Sequence, residues 1–161
     1  MEYKIENATE DDRKELLALY KTQIGREYCP WDDHYPSEET IDFDLKRNSA
    51  FVMRSKDGII GAVSIDKDEQ VEAIEYWDKN LAPGGELSRL AVRPDMQNRG
   101  LARELLRFGM DELKKRGFKS IHFLVNKYNI KALRSYSALD FNTVGEVYMY
   151  EQDYICFEKE L

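Results

Sequence analysis

Cysteine is scarce in this chain. Cys29 and Cys156 stand far apart, too few for a disulfide framework or a zinc site. Both are expected as reduced thiols, with Cys156 buried in a strand and Cys29 in a polar, aromatic loop. No apolar run approaches the roughly 18–20 residues that cross a bilayer, so no membrane association is expected. The first residues, Met1-Glu2-Tyr3-Lys4-Ile5-Glu6, lack the basic-then-apolar layout of a signal peptide, which makes the cytoplasm the expected location. Basic runs are missing too, apart from Lys114-Lys115-Arg116, which suits the last turn of a helix. With a formal net charge of -7 and a pI near 5.0, nucleic acid is not an expected partner. The acidity favours a cationic substrate only weakly. There is no repeat, linker or low-complexity stretch. The 161 residues, 42% hydrophobic and 34% charged, therefore read as one globular domain, 1–161.

What is present alternates between two periods. Tyr3 to Asn7 reads as an edge strand. Thr9 caps a helix over residues 10–24, with acidic residues in its first turn and Leu16, Leu17, Leu19, Tyr20 and Ile24 as its apolar face. Gly25 ends it. Residues 26–36 form a loop of aromatic and acidic residues, and Ser37 caps a second helix bearing Ile41 and Leu45. Residues 50–54 and 59–65 read as strands joined by the turn Lys56-Asp57-Gly58. Residues 66–83 are ambiguous: 72–77 suits a strand extension or a short helix. Then follow a strand over 86–92, a loop over 93–99 and a long amphipathic helix over 100–116. Gly117 stops that helix. A strand over 120–125, a helix over 130–139 and two closing strands over 141–148 and 154–159 complete the chain. This order implies an α/β or α+β fold, a mixed sheet with helices on both faces.

The segment from Leu90 to Ala102 carries chemistry. A buried strand enters a tight loop, and the loop opens the long helix. About four backbone N–H groups at a helix start lack partners and sit at the positive end of the macrodipole. Gly100 lets the backbone approach a ligand, and small Ala102 does not obstruct it. Arg99 and Arg103 add countercharge. Together these make a cradle suited to a pyrophosphate. The three-glycine dinucleotide fingerprint and the Walker lysine are absent. By the residues alone, an ordinary strand-to-helix connection remains an open reading.

Gln97-x-x-Gly100-x-Ala102, behind Leu90-x-Val92-x-Pro94, resembles the acetyl-CoA signature of the GNAT acyltransferase superfamily. Asn129-x-x-Ala132-x-x-x-Tyr136-x-x-x-Asp140-Phe141 resembles the family's second element, with Asp140 where glycine is usual. The resemblance implies a GNAT-like fold, a central mixed and mostly antiparallel sheet flanked by helices. It also implies acetyl-CoA as co-substrate, with no metal. On this reading the cofactor is held by Leu90, Ala91, Val92, Gln97, Asn98, Arg99, Gly100, Leu101, Ala102, Arg103 and Asn129. The amides of residues 98–103 take the pyrophosphate, Leu90 and Val92 pair with the pantetheine arm, and the Leu90 amide stabilises the oxyanion. Tyr136 protonates the leaving thiolate, and Glu86 takes the amine's proton, with Ser88 on the same strand face unless a bulge intervenes.

The acceptor side is expected in the loop after the first helix, where Tyr28, Trp31, Asp32, Asp33 and Tyr35 could box or bind a cationic group. Trp31 packing on the core and the aspartates capping turns is the competing expectation. Glu75, Tyr76 and Trp77 are further candidates. His34 is expected to be exposed and His122 structural. The implied reaction is direct acetyl transfer from acetyl-CoA to a primary amine, first of all a small amine or amino-acid-like molecule. A protein N-terminus or lysine is the next acceptor, and a non-catalytic acyl-CoA-binding module the rival class. The chain alone leaves a homodimer open.

Overall fold

The computed structural model describes residues Met1–Leu161. In chain order it contains β1 (Lys4–Asn7), α1 (Arg13–Lys21), α2 (Glu38–Lys46), β2 (Ala50–Ser55), β3 (Gly58–Asp66) and α3 (Glu69–Glu72). There follow β4 (Gly84–Val92), α4 (Leu101–Lys115), β5 (Ser120–Asn126), α5 (Ile130–Ala138), β6 (Asn142–Met149) and β7 (Gln152–Glu160). The strands form one seven-stranded mixed sheet. The β1–β2, β2–β3, β5–β7 and β6–β7 ladders are antiparallel, and β4 pairs with β5 in parallel. No helix is long and apolar enough to cross a membrane.

The chain divides into two compact units, Met1–Asp66 with Leu87–Gly109 and Lys67–Glu86 with Met110–Leu161. In the first unit the strand order is β1-β2-β3-β4. The β2–β3 hairpin turns at Lys56-Asp57, and Gly58 supplies the positive φ of 94°. Leu16, Leu19 and Tyr20 of α1 and Ile41 of α2 pack on Val52, Ile59, Ala62 and Ala91. On α4, Leu101 and Leu105 are buried one turn apart, as an amphipathic helix requires.

In the second unit the strand order is β4-β5-β7-β6. Its core centres on Phe123, Phe141 and Phe157, with Tyr136 tilted against all three rings. Cys156 is fully buried in β7, and burial pushes its thiol up to about 11.

Two expectations need correction. The first helix is shorter than residues 10–24. The Asp12 carboxylate accepts the Thr9 N–H at 2.9 Å and pairs with Arg54, which tightens Glu10–Asp12 into a 3-10 turn. After Lys21 the chain unwinds, and the Thr22 hydroxyl takes the Leu19 carbonyl. Residues 72–77 are not a strand: Asp68 caps the short α3, and Asp78 caps a second 3-10 turn at Lys79–Leu81.

Candidate active site

The first unit holds the strand-loop-helix. Arg93 N–H donates to the Ile60 carbonyl of β3 at 2.9 Å. Backbone groups alternate sides along a strand, so Ala91 and Arg93 serve the β3 ladder, whereas Leu90 and Val92 turn their N–H and C=O away from β3. That orientation leaves the Leu90 groups and the Val92 N–H suited to pairing with an extended ligand arm. The Val92 carbonyl already accepts the side-chain amides of Gln23 and Gln97, each at 2.9 Å. Gln97 thus shapes the loop with its side chain. Ala91, expected at the cofactor, has its side chain buried in the core.

Beyond the 3-10 turn Pro94–Met96, Asn98 and Gly100 take the left-handed region with φ 62° and 80°. A Cβ built on Gly100 meets no atom within 4 Å, so open space lies over the loop. Asn98, Arg99, Gly100, Ala102 and Arg103 are exposed, while the Leu101 side chain is buried and only its amide can serve a ligand. An exposed glycine-bearing turn leading into a fifteen-residue helix fits the diphosphate of acetyl-CoA.

Just upstream, Arg89 has φ 49° in the middle of β4. A positive φ at a non-glycine residue inside a strand marks a bulge. The bulge puts Ser88 and Arg89 on the same carboxylate: the Ser88 hydroxyl and Arg89 Nη1 donate to Asp66 Oδ2 at 2.9 and 3.0 Å. Arg89 also grips Asp44 bidentately, at 2.6 and 3.1 Å, and donates to the Tyr35 hydroxyl at 3.0 Å. Ser64 and Arg47 donate to the same Asp44 carboxylate. Burial alone would lower the Arg89 pKa. The Asp44 carboxylate, then Tyr35 and Asp66, outweigh it and hold the guanidinium well above its ordinary value. Arg89 is a permanent cation in a neutralising cage.

The loop over residues 26–36 matches its expectations unevenly. Trp31 is half-buried, its ring edge-on to Tyr20 at 5.5 Å, so it packs on the core. Asp32 caps a turn by accepting the His34 and Tyr35 N–H groups at 2.7 and 3.0 Å. Tyr28 and Asp33 are exposed, and Asp33 joins His34 and Lys21 on the wall of a cavity of about 450 Å³. Tyr35 keeps an exposed ring while its hydroxyl is anchored on Arg89.

The second unit holds the acid–base candidates. Glu86 is buried on β4 in register with His122 of β5, which is in register with Glu158 of β7. Tyr136 lies half-buried in its aromatic cluster, and burial raises its phenol above 10, which keeps it protonated as an acid must be. The Asn129 side chain accepts the Ala132 N–H at 3.2 Å and caps α5. Asp140 adopts φ 66°, the left-handed turn that glycine would supply, and Phe141 N–H closes it on the Tyr136 carbonyl at 3.1 Å.

The Arg89 cage and the buried His122 were not read from the sequence as site features. Arg89 had a signal: Ser88-Arg89 places two polar residues side by side in an otherwise apolar strand, as a bulge does.

Comparison with known proteins agrees with this geometry. The Acetyltransferase (GNAT) family matches residues 12–141. The [Ribosomal protein bS18]-alanine N-acetyltransferase of Escherichia coli (strain K12) is 43% identical over 56 residues, 35% of this chain and 38% of that protein. The match thus spans well under half of that relative's length. Among solved structures, the ribosomal-protein-S18-alanine N-acetyltransferase from Escherichia coli superposes with a TM-score of 0.74 at 21% identity, covering 99% of this chain and 94% of that one. The PaiA N-acetyltransferase from Thermoplasma acidophilum, in complex with coenzyme A, gives 0.75 at 17% identity and covers 100% of both chains.

Proposed function

We propose that this chain, which belongs to the GNAT acetyltransferase family, is an acetyl-CoA-dependent N-acetyltransferase whose acceptor is the α-amino group of a protein or peptide. The observation that carries this acceptor is the 43% identity, over 56 residues, to an enzyme named for acetylating an alanine of a ribosomal protein. It favours this acceptor over the small amine that the sequence first suggested. The exposed Tyr28 and Tyr35 rings and the Asp33 carboxylate offer an open, aromatic and anionic wall, compatible with a peptide end bearing an ammonium.

The reaction on this reading is direct. The amine nitrogen attacks the thioester carbonyl, a C–N bond forms and the C–S bond breaks. The Leu90 N–H, turned away from β3, stabilises the oxyanion. Glu86 takes the amine's proton, and Tyr136 gives its own to the departing thiolate. A thiol held at about 11 in the core makes Cys156 a poor acyl carrier, which supports transfer without a covalent enzyme intermediate.

The test is a panel of acceptors with acetyl-CoA: a peptide with a free N-terminal alanine, a blocked peptide with one lysine, and free polyamines and amino acids. Thiol release and mass spectrometry would report the product. Acetylation of the free-N-terminus peptide alone is expected. Turnover confined to the small amines would remove the peptide acceptor.

A further inference from the structure

Tyr35 is anchored more firmly than a loop side chain needs to be. Its ring is 44% exposed, yet its hydroxyl accepts from Arg89 Nη1 at 3.0 Å, and the Arg89 side chain is only 3% exposed. Side chains of surface loops are ordinarily mobile. This one is held at both ends. Its backbone closes a tight turn with Asp32: each residue's N–H donates to the other's carbonyl, at 3.1 and 3.3 Å, and Asp32 Oδ1 accepts the Tyr35 N–H at 3.0 Å. Two residues on, the Ser37 side chain accepts the Thr40 N–H and caps α2. The ring is thus fixed at its base and at its tip, with part of its surface open to solvent.

Charge does not explain the contact at the tip. Asp44 and Asp66 bring two negative charges to the cage, and Arg89 and Arg47 bring two positive ones. The cage is neutral without Tyr35. Burial holds the Tyr35 phenol above its ordinary pKa, so its hydroxyl meets Arg89 as a neutral oxygen. What the contact uses is geometry. A guanidinium presents its N–H groups in a fixed planar fork. Nε and Nη2 are engaged by Asp44 at 3.1 and 2.6 Å, and one N–H of Nη1 by Asp66 at 3.0 Å. With the fork locked on carboxylates from α2 and β3, the second N–H of Nη1 has one direction left, and the Tyr35 hydroxyl lies in it. The loop is thereby placed relative to β4 and not only relative to its own neighbours.

We propose that Arg89 is a positioning residue for the acceptor: it fixes the Tyr35 hydroxyl, and the ring so held is the surface against which the acceptor's terminal residue packs. The proposal rests on the reading of the loop over residues 26–36 as the acceptor wall. Arg89 acts through Tyr35 and needs no contact with the acceptor itself. A ring that is already ordered adds its area to the bound acceptor without the entropy cost of stopping a mobile side chain. Cutting the tether leaves the same ring on the same loop and restores that cost, so the effect falls on the acceptor KM. The turn that opens α4 is shaped by other contacts, the Gln97 amide on the Val92 carbonyl among them. The acetyl-CoA KM therefore serves as the internal control.

The experiment compares the wild type with Tyr35→Phe, Tyr35→Ala, Arg89→Lys and the double variant Arg89→Lys with Tyr35→Phe. Two readouts are taken: amide hydrogen exchange over residues 26–36 in the free protein, and the acceptor and acetyl-CoA KM with the amine of the panel that is turned over. Tyr35→Phe removes the tether and keeps the ring. It is expected to speed exchange of the Asp32 and Tyr35 amides and to raise the acceptor KM about 3–10-fold, with the acetyl-CoA KM unchanged. Tyr35→Ala, which removes the ring as well, should raise the acceptor KM further. Arg89→Lys should also raise it, and in the double variant the two increases should not multiply, because both cut one tether. If Tyr35→Ala raises the acceptor KM while Tyr35→Phe matches the wild type in exchange and in KM, the ring is a wall without a tether: the proposal is overturned and the acceptor reading survives. If Tyr35→Ala keeps the wild-type acceptor KM, the loop is not the wall, and the reading and the proposal fall together. Faster exchange in Tyr35→Phe with both KM values unmoved would mark the tether as merely structural and would also overturn the proposal, as would multiplying effects in the double variant. Should Arg89→Lys fail to fold, the two Tyr35 variants decide the matter alone.

Discussion

Replacing His122 by phenylalanine should make the protein no less stable near neutrality and much less sensitive to acid. The magnitude follows from the burial of the ring. Its folded-state pKa is near 4 against an ordinary 6.5. A depressed pKa means that the unfolded chain binds the proton more readily, so protonation favours unfolding. The stability from keeping the ring neutral is complete above pH 6.5 and is lost as pH falls from 6.5 to about 4. At about 1.4 kcal/mol for each tenfold change in proton affinity, the loss is roughly 3 kcal/mol, or roughly 6–12 °C in Tm for a chain of this size. Phenylalanine cannot take the proton, so the variant should lack this component. It should also shed the penalty of an unsatisfied buried imidazole, about 1–3 kcal/mol, against which stands any strain from fitting the new ring under Trp77. The assay is urea or thermal unfolding of both proteins at pH 7.5, 6.5, 5.5 and 4.5. Glu158, whose pKa is raised by burial, titrates with the opposite sign but is present in both proteins and largely cancels in the difference. The two curves should separate progressively below pH 6.5, with the variant on top. Parallel curves across the whole range would show that His122 is not buried neutral and unbonded.

Three further outcomes test the first unit and the role proposed for Tyr136. Saturating acetyl-CoA should raise the Tm of the wild type by mass action but not that of Gly100→Val, whose branched side chain would fill the open space over the loop; an equal rise in both would place the cradle elsewhere. Tyr136→Phe should keep the acetyl-CoA shift yet lose about 10²-fold or more in kcat, and an unaltered rate would hand the thiolate's proton to water. Arg89→Met strands the fully buried Asp44 carboxylate beside a partial complement of donors, at a cost of about 3–5 kcal/mol and roughly 6–20 °C in Tm. Arg89→Lys should recover only part of this, because one ammonium cannot hold two carboxylates and the Tyr35 hydroxyl at once; a Tm within about 2 °C of wild type for Arg89→Met would show the cage to be energetically idle.

The sequence was most legible where a local rule dominated. The hairpin at Lys56-Asp57-Gly58, the cap at Ser37 and the 3.6-residue period of α4 each depend on neighbours within a few positions, and each is found. The turn that opens α4 was legible for the same reason: its glycine, its helix start and its spacing are all local. Even the unusual Asp140 was readable, since aspartate tolerates the left-handed turn that its φ of 66° records. Residues 66–83 were not legible, because two short turns capped by Asp68 and Asp78 leave no period to detect. Partners distant in sequence were invisible as well. Nothing local says that Arg89 will meet Asp44, 45 residues away, or Tyr35, 54 away. His122 read as structural because its type and strand position are ordinary. What sets it apart is a register with Glu86 and Glu158 that only the assembled strands create.

The bulge at Arg89 explains why β4 can carry so many roles. In a regular strand Ser88 and Arg89 would project to opposite faces. The left-handed residue at 89 turns both toward Asp66, and it lets the strand resume with Ala91 in the core and Leu90 and Val92 turned away from β3. A non-glycine residue pays about 1–2 kcal/mol for that conformation. The donors from Arg89 to Asp44, Asp66 and Tyr35 are the interactions that offset it, which is why a long, forked, permanently charged side chain stands there. Glycine at 89 would relax the backbone but leave two carboxylates and the loop tyrosine unheld. The same guanidinium therefore holds both the backbone ahead of the Leu90 amide and the hydroxyl of Tyr35.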